Sequence, residues 1–275
     1  MFSSKFTRRI HERIDAFYRD SEVRKTLVRK LYASDDISVW KDSKRWQFQL
    51  NNKHNSREFA QKFNCKVPDL YWEGRKVEKI NFGNLPEKYV IRPTIGYSAN
   101  MVFLMQGDKN LFDDREYSEA DIVKELSFAV KENPELDFLV EEFVSNENGQ
   151  YPIPDDYKIY SFNGEIACIQ VINRTGRKKG TTSFYDENWN QLERVQQEYL
   201  DGDAQPAPAC LQEMIQEAKR LSKAYEIFAR IDFYATQKGA VFGEFTPTPF
   251  RGNGFTPFGR KLLINYWDKY CPGMI

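Results

Sequence analysis

The stretch "RIDFYATQKGAVFGEFTPTP", Arg230 to Pro249, constrains the fold more than any other part of the chain. Two apolar-rich runs flank a polar turn containing Lys238-Gly239, which is a hairpin signature. Each arm nevertheless carries an acid. Side chains at i and i+2 share one face of a strand, so Arg230, Asp232 and Tyr234 point one way and Ile231 and Phe233 the other. On the second arm the same rule puts Phe242, Glu244 and Thr246 on one face. A turn centred on Lys238 sets Asp232 directly opposite Glu244. Opposed residues have Cβ atoms roughly 5 Å apart, where like charges repel. Protonation of one acid, recruitment of Arg230 or a bound cation would each relieve this. Two convergent carboxylates with oxygen-bearing neighbours suit Mg²⁺. The plain alternative is a solvated surface hairpin with its register shifted by one.

The 275 residues are enough for one large domain or two to three small lobes. Hydrophobic residues make up 41% and aromatic ones 15%, so the chain is expected to be globular. Forty basic residues balance forty acidic ones, which leaves no net charge to draw the whole chain to nucleic acid. Cys65, Cys168, Cys210 and Cys271 are scattered without metal-ligand spacing. They fit a reducing cytoplasm better than a disulfide framework. With no signal peptide and no run long enough to span a bilayer, the expected location is the cytoplasm. Only His11 and His54 are present, so histidine-based acid–base chemistry is poorly supplied.

Residues 3–33 read as helical, with Phe6, Ile10, Ile14, Phe17, Val23, Leu27 and Leu31 at helical spacing. Their other faces are basic, from Lys5 and Arg8 through Arg29 and Lys30. A solvated face is one reading; docking to an anionic polymer or to the inner face of a membrane is the other. A short helix follows over 56–63 and a short strand over 65–71. Strands are expected over 88–93, 101–105 and 137–144, with a helix over 118–131. The polar stretch 146–156 marks a lobe boundary. A hairpin turns at Asn163-Gly164 between 157–162 and 165–173. Phe184–Trp189 is a candidate strand, Pro208–Tyr225 a helix, and a last helix ends near Tyr270. The order implies an α+β fold of two lobes with a cleft between them.

Four features could meet in that cleft. Arg92 ends a strand and precedes a turn with Gly96, Ser98 and Asn100, a cation beside exposed backbone amides that suits phosphate. Glu141, Glu142, Phe143 and Val144 run out of a strand, where free backbone groups can read a purine edge. Taken alone, either could be ordinary structure. Lys158 sits in an otherwise apolar strand and needs an anion. The Asp232/Glu244 pair is the fourth. Together they supply what positioning a nucleoside triphosphate requires.

These pieces resemble the ATP-grasp superfamily, and within it the branch related to the teichuronopeptide-biosynthesis protein TupA. The matching segments are "NNKHNSREFAQKFNCKVPDLYW", "YVIRPTIGYSANMVFLM", "FLVEEFV", "IPDDYKIYSFNGEIACIQVINR", "SFYDENWN" and the opening hairpin. The resemblance covers about residues 51–258. It implies an ATP-grasp fold in which two α+β lobes clamp ATP. It divides the chain into a basic helical segment (1–45), a short preceding segment (46–87), a small lobe (88–147) and a large lobe (148–275). Arg92 falls where the family usually has a phosphate-binding lysine, and Gly96 to Asn100 match the loop over the phosphates. Glu141 to Val144 match the adenine hinge, Lys158 a basic residue that reaches the phosphates, and Asp232 and Glu244 the Mg²⁺ carboxylates. Thr246 stands where the superfamily has an Asn metal ligand.

Relatives activate a carboxylate as an acyl phosphate that an amine then attacks. The expectation is therefore an ATP- and Mg²⁺-dependent ligase acting on small-molecule or glycan-linked substrates. A sugar-hydroxyl phosphotransferase and a non-catalytic nucleotide- or glycan-binding protein are the alternatives. Arg174 and Arg230 are candidates to hold the acyl phosphate. Arg177, Lys178, Arg251 and Asn253 are candidates for the substrate, the last two in a glycine-bearing loop that could form a backbone nest.

Overall fold

The computed structural model describes residues 4–96, 101–149, 153–177 and 179–275. The chain opens with α1 (Lys5–Tyr18), α2 (Ser21–Lys25), α3 (Ile37–Trp40) and α4 (Lys53–Lys62). The helical stretch expected over 3–33 is broken at Asp20. Its carboxylate accepts the Glu22 and Val23 amides and starts a new helix. Phe6, Ile10 and Phe17 of α1 are buried as their spacing requires, and Arg13 is buried with them. The basic faces are mostly paired within the chain. Lys5 and Arg9 reach Asp268, Arg19 reaches Asp15, Lys25 reaches Glu22, Arg29 reaches Asp42, and Lys30 reaches Glu73 and Asp137. α4 starts earlier than expected because the Asn52 side chain accepts the His54 amide.

The first sheet contains β1 (Leu70–Gly74), β2 (Lys88–Pro93), β3 (Phe103–Gln106), β4 (Lys109–Asn110), β5 (Arg115–Glu116) and β6 (Phe138–Glu142). Their spatial order is β1-β6-β2-β3-β4-β5. Strand alternation sends Tyr89, Ile91, Phe103, Met105, Phe138 and Val140 to one face. There they pack with α5 (Glu119–Glu132), whose Ser118 and Asp121 form a capping box. The opposite face carries Val90, Arg92, Leu104 and Glu141.

The second sheet contains β7 (Asp156–Phe162), β8 (Glu165–Gly176), β9 (Lys179–Tyr185), β10 (Leu200–Asp201), β11 (Phe228–Thr236) and β12 (Gly239–Thr246), ordered β10-β9-β8-β7-β11-β12. β9 ends at Tyr185 and does not run on to Trp189. The Asp186 carboxylate accepts the Asn188 and Asn190 amides and turns the chain out of the sheet. One face of this sheet packs on α6 (Leu211–Tyr225) and on Trp40, Trp46, Leu50 and Phe59 from the N-terminal segment. The other face packs at one end on α1 and α7 (Pro257–Tyr270), through Phe6, Tyr160, Phe162, Phe228 and Trp267. The segment 46–87 is shared between the lobes. Trp46 to Cys65 join the second sheet's core, whereas Val77 and Ile80 join the first's.

Candidate active site

Register across the second sheet sets Gln170, Lys158, Asp232 and Glu244 in one line over β8, β7, β11 and β12. The Asp232–Glu244 opposition depends on a bulge. Near the turn Thr236 pairs with Gly239 and Phe233 with Phe242, a register that would set Asp232 against Gly243. Gly243 is instead the extra residue, and beyond it Asp232 meets Glu244 and Arg230 meets Thr246. A side chain at 243 would lie 3.1 Å from the Asp232 carbonyl oxygen and 3.2 Å from the Tyr234 ring, so glycine fits there. The bulge also corrects the expected alternation. Phe242 packs in the apolar core with Phe233 and Phe245 and does not share the face of Glu244 and Thr246.

Arg230 reconciles the two acids. Its Nε and Nη2 each donate to Asp232 at 2.8 Å, and Nη2 also donates to the Thr246 hydroxyl at 2.9 Å and lies 3.8 Å from Glu244. Lys158 donates to the same Asp232 carboxylate, which is the anion its apolar strand required. Burial alone would raise the Asp232 pKa; Arg230 and then Lys158 outweigh it and hold it below the ordinary value. The same exchange raises Arg230, where burial is overcome by Asp232.

Glu244 is different. Its side chain is 35% exposed, and the 3.8 Å approach of Arg230 is its one ion pair among the described residues. This donor set fits Mg²⁺, which needs only one or two carboxylates plus phosphate oxygens. Glu244 would be the accessible ligand for such a cation, and Asp232, held by Arg230 and Lys158, would be the second. The Thr246 hydroxyl, already accepting from Arg230, is the weakest of the three expected ligands.

The first sheet faces this line with Arg92 and Glu141. Arg92 Nε donates to Glu141 at 2.5 Å, and Arg57 of α4 donates to the other carboxylate oxygen at 2.6 Å. Arg92 Nη1 lies 3.5 Å from the bulge carbonyl of Gly243, so it spans both sheets. Burial works against its charge, but Glu141 raises its pKa. Glu142 points elsewhere, to Lys238 of the β11–β12 turn at 2.5 Å. The chain leaves the sheet after Glu142. Phe143 and Val144, expected at the base-binding hinge, are buried there, Phe143 against Leu104 and Ile153. A cavity of 390 Å³ lined by Arg57, Lys66, Asp69, Leu70, Lys238 and Val241, among others, opens beside the hinge and the β11–β12 turn. Neither Asp232 nor Glu244 lines it.

Arg174 and Arg230 do not meet. Cys168 lies in the row of Tyr160 and Arg230, and Arg174 is six residues further along β8, a backbone offset of roughly 20 Å at the strand rise of ~3.3 Å per residue, which the two long side chains shorten by reaching toward Lys158 from either side. Arg174 lies at the hinge end. It donates to Asp156 at 2.5 Å, to the Tyr199 hydroxyl at 2.9 Å and to the Arg177 carbonyl at 3.1 Å. The Arg177 amide donates across to the Phe112 carbonyl of the other lobe at 3.4 Å. The two guanidinium groups approach Lys158 from opposite sides, through the contacts Arg174–Asp156–Lys158–Asp232–Arg230, and do not touch each other.

The loop after β12 is only partly the expected nest. The Arg251 amide donates to Thr248 and the Asn253 amide to Phe250, so these two donors are spent inside the turn. The Asn253 side chain donates to the Arg251 carbonyl at 3.4 Å, and the Arg251 side chain is exposed. Of the phosphate loop, Gly96 is described, with φ 152 that suits glycine. Ser98 and Asn100, and Lys178 of the basic turn, lie outside the described residues.

Lys53, Arg57 and Asp156 join the site without having been singled out in the sequence. Lys53, half-buried at the start of α4, donates to the Gly96 carbonyl at 3.2 Å. Burial lowers its pKa, with Glu244 opposing and Arg92 adding to the effect. Asp156 lies between Arg174 and Lys158, 3.7 Å from the latter. The Asn52 cap was the available signal for α4, since it fixes Lys53 as the first helical residue.

The TupA-like ATP-grasp family matches residues 33–262. No curated protein matches the chain. Among solved structures, the fold is similar to D-alanine–D-alanine ligase from Bacillus anthracis, with a TM-score of 0.54 at 15% identity over 82% of this chain and 68% of that one. The same enzyme complexed with ATP gives 0.51 at 14% identity, over 82% and 67%. The VanG D-Ala:D-Ser ligase from Enterococcus faecalis gives 0.50 at 15% identity, over 82% and 63%. With two sheets facing each other across Arg92, Lys158 and the Asp232/Glu244 pair, and a family match over most of its length, the chain belongs to the TupA-like ATP-grasp family.

Proposed function

We propose that the protein is an ATP- and Mg²⁺-dependent carboxylate–amine ligase acting through an acyl phosphate on small-molecule or glycan-linked substrates. The observation that carries this reading is Glu244, open to the cleft beside a fully paired Asp232, with Lys158 and Arg92 converging from the two sheets. Lys158, Arg92 and Lys53, with the loop from Gly96 to Asn100, bind the triphosphate. The backbone of Glu141 to Val144 holds the base against Leu104, Phe143 and Ile153. Glu244 and Asp232 would hold Mg²⁺, which when bound offsets the charge of the phosphoryl group. Phosphate oxygens draw Lys158 away from Asp232, while Arg230 keeps Asp232 and Thr246 in place. Arg230 and the exposed Arg251 face the acceptor carboxylate. That the similar folds include D-alanine–D-alanine and D-Ala:D-Ser ligases supports amide formation over phosphate transfer to a sugar. Four free cysteines suit a reducing cytoplasm as the site of action.

The test is mass spectrometry of products from a mixture of acids and amines incubated with ATP–Mg²⁺. ADP, free phosphate and a new amide that forms only with the amine are expected. Phosphate retained on a hydroxyl acceptor would make the protein a kinase. Nucleotide binding without ADP formation would make it a binding protein.

A further inference from the structure

The family match begins at residue 33, so α1 lies outside it, yet α1 holds the acceptor end of the site. Arg13, in the middle of α1, is fully buried. Its Nη1 donates to the Phe228 carbonyl at 2.6 Å and to the Pro247 carbonyl at 3.0 Å. Phe228 begins β11, and Pro247 directly follows β12. The guanidinium lies over the Trp267 and Phe228 rings at 4.8 and 5.5 Å. Its Nε and Nη2 have no hydrogen-bond partner, and burial pulls its pKa down to about 10. A buried cation without an acid partner is costly, and the bonds to two backbone carbonyls offset only part of that cost. What the guanidinium supplies is geometry. One nitrogen ties together the two strands that carry Arg230, Asp232, Glu244 and Thr246.

A second contact lies beside it. The Thr7 hydroxyl donates to the Gly252 carbonyl at 2.9 Å. Ile10 lies close enough that a Cβ on Gly252 would meet its own Cβ at 3.0 Å. Gly252 ends a left-handed run in which Phe250 has φ 51, Arg251 φ 53 and Gly252 φ 76. A bulky residue in that region is strained and persists only where its surroundings hold it. Held so, the Phe250 ring lies 5.8 Å from the Arg230 guanidinium.

We propose that α1 is a brace for the acceptor end, with Arg13 and Thr7 as positioning residues. They set Phe250 against Arg230 and fix where Arg251 stands. This rests on the ligase reading for the identity of the site and extends the working protein beyond the family match.

The test compares Arg13→Met, Arg13→Lys and Thr7→Val in the full chain, with Glu244→Gln as the reference for the site. ADP formation from ATP–Mg²⁺ with the acid and amine mixture, KM for ATP and thermal unfolding are measured together. Arg13→Met is expected to lower turnover about tenfold at a temperature well below its Tm, with KM for ATP within about twofold and Tm lowered modestly, because the Phe228 and Pro247 carbonyls lose their donor. Arg13→Lys, keeping one donor, should recover part of the rate, and Thr7→Val should lose about threefold, as for one neutral hydrogen bond. If Glu244→Gln turns over normally, the site reading itself fails. If Glu244→Gln is inactive while Arg13→Met and Thr7→Val match the wild type, the brace is refuted. A rate that falls only in step with Tm or with ATP affinity also refutes it. Should Arg13→Met not fold, normal turnover in Thr7→Val overturns the proposal by itself.

Discussion

The two ends of the charged row on the second sheet carry the same pair, an arginine and an aspartate, held differently. At the metal end Arg230 grips Asp232 with two bonds of 2.8 Å and adds Thr246. At the hinge end Arg174 spreads single bonds over Asp156, Tyr199 and the Arg177 carbonyl. The Arg174 side chain is 17% exposed and that of Arg230 9%. Lys158 stands between the two aspartates, bonded to Asp232 and 3.7 Å from Asp156. The fixed end is the one beside the open Glu244, which is what electrostatic preorganisation would require if the proposed function places the reaction there. The looser end touches the other lobe through Arg177 and Phe112.

The sharpest break is at the metal end. Glu244→Gln should lower Mg²⁺-dependent ADP formation on the order of 100- to 1,000-fold. It should leave the melting temperature in place, because Glu244 is partly exposed and 3.8 Å from its nearest cation. Asp232→Asn should be as inactive but also unstable. It would leave Arg230 and Lys158 buried without their acid, a loss of ~3–5 kcal/mol. Calorimetry beside the activity assay separates the two variants. Equal stability of both would show that Asp232 is not the keystone of the fixed end.

Lys158 tests the middle of the row. Lys158→Ala should weaken ATP ~10- to 100-fold and adenosine hardly at all, as expected for a charge-assisted bond of ~1.5–3 kcal/mol. Arg92→Ala should do the same less strongly, because Glu141 already holds much of its charge at 2.5 Å. Titration calorimetry with ATP and adenosine reads the difference. Equal weakening of both ligands would make Lys158 a mere counter-charge to Asp232.

Much of this row was legible in the sequence, for reasons that can be named. β2 runs from Lys88 to Pro93 as its alternation implied. Asp232 and Glu244 were expected to be opposed, and they are, although a count from Lys238 reached that result without the bulge. The turn sits one half-residue earlier, and Gly243 restores the register. A glycine inside a strand is the known mark of a bulge, so the signal was present. Arg13 also had a signal, which the reading of a basic outer face passed over: with Phe6, Ile10 and Phe17 it completes one buried helical stripe. What spacing cannot supply is the meeting of distant segments. Arg57 reaches Glu141, and Ser56 accepts the Phe245 amide at 3.3 Å, so α4 ties both sheets together. The placement of Arg174 relative to Arg230 was illegible for the same reason. The Asn163-Gly164 hairpin fixes β8 against β7, but where Arg230 falls along that sheet depended on the pairing of β11 with β7.

The smallest effect is expected at the hinge end, and it bears most directly on the comparison. Lysine keeps the charge of arginine but loses the planar fork. At position 230 the fork is in use, since two nitrogens meet the two Asp232 oxygens and one of them also meets Thr246. Arg230→Lys should therefore lose on the order of 100-fold in turnover, the scale of one preorganised donor, with Mg²⁺ dependence shifted to higher concentration. At position 174 only Nε reaches the acid, while Nη1 goes to a phenol and a carbonyl. Arg174→Lys should thus change turnover by no more than about threefold, the worth of one neutral hydrogen bond. What change it makes should fall on KM for ATP, because Arg174 stands on the hinge side of Lys158. Single-turnover rates on the two variants, at saturating ATP–Mg²⁺, give the ratio. If Arg174→Lys is as slow as Arg230→Lys, the hinge end is part of the reacting centre, and the distinction between a fixed and a looser end has to be abandoned.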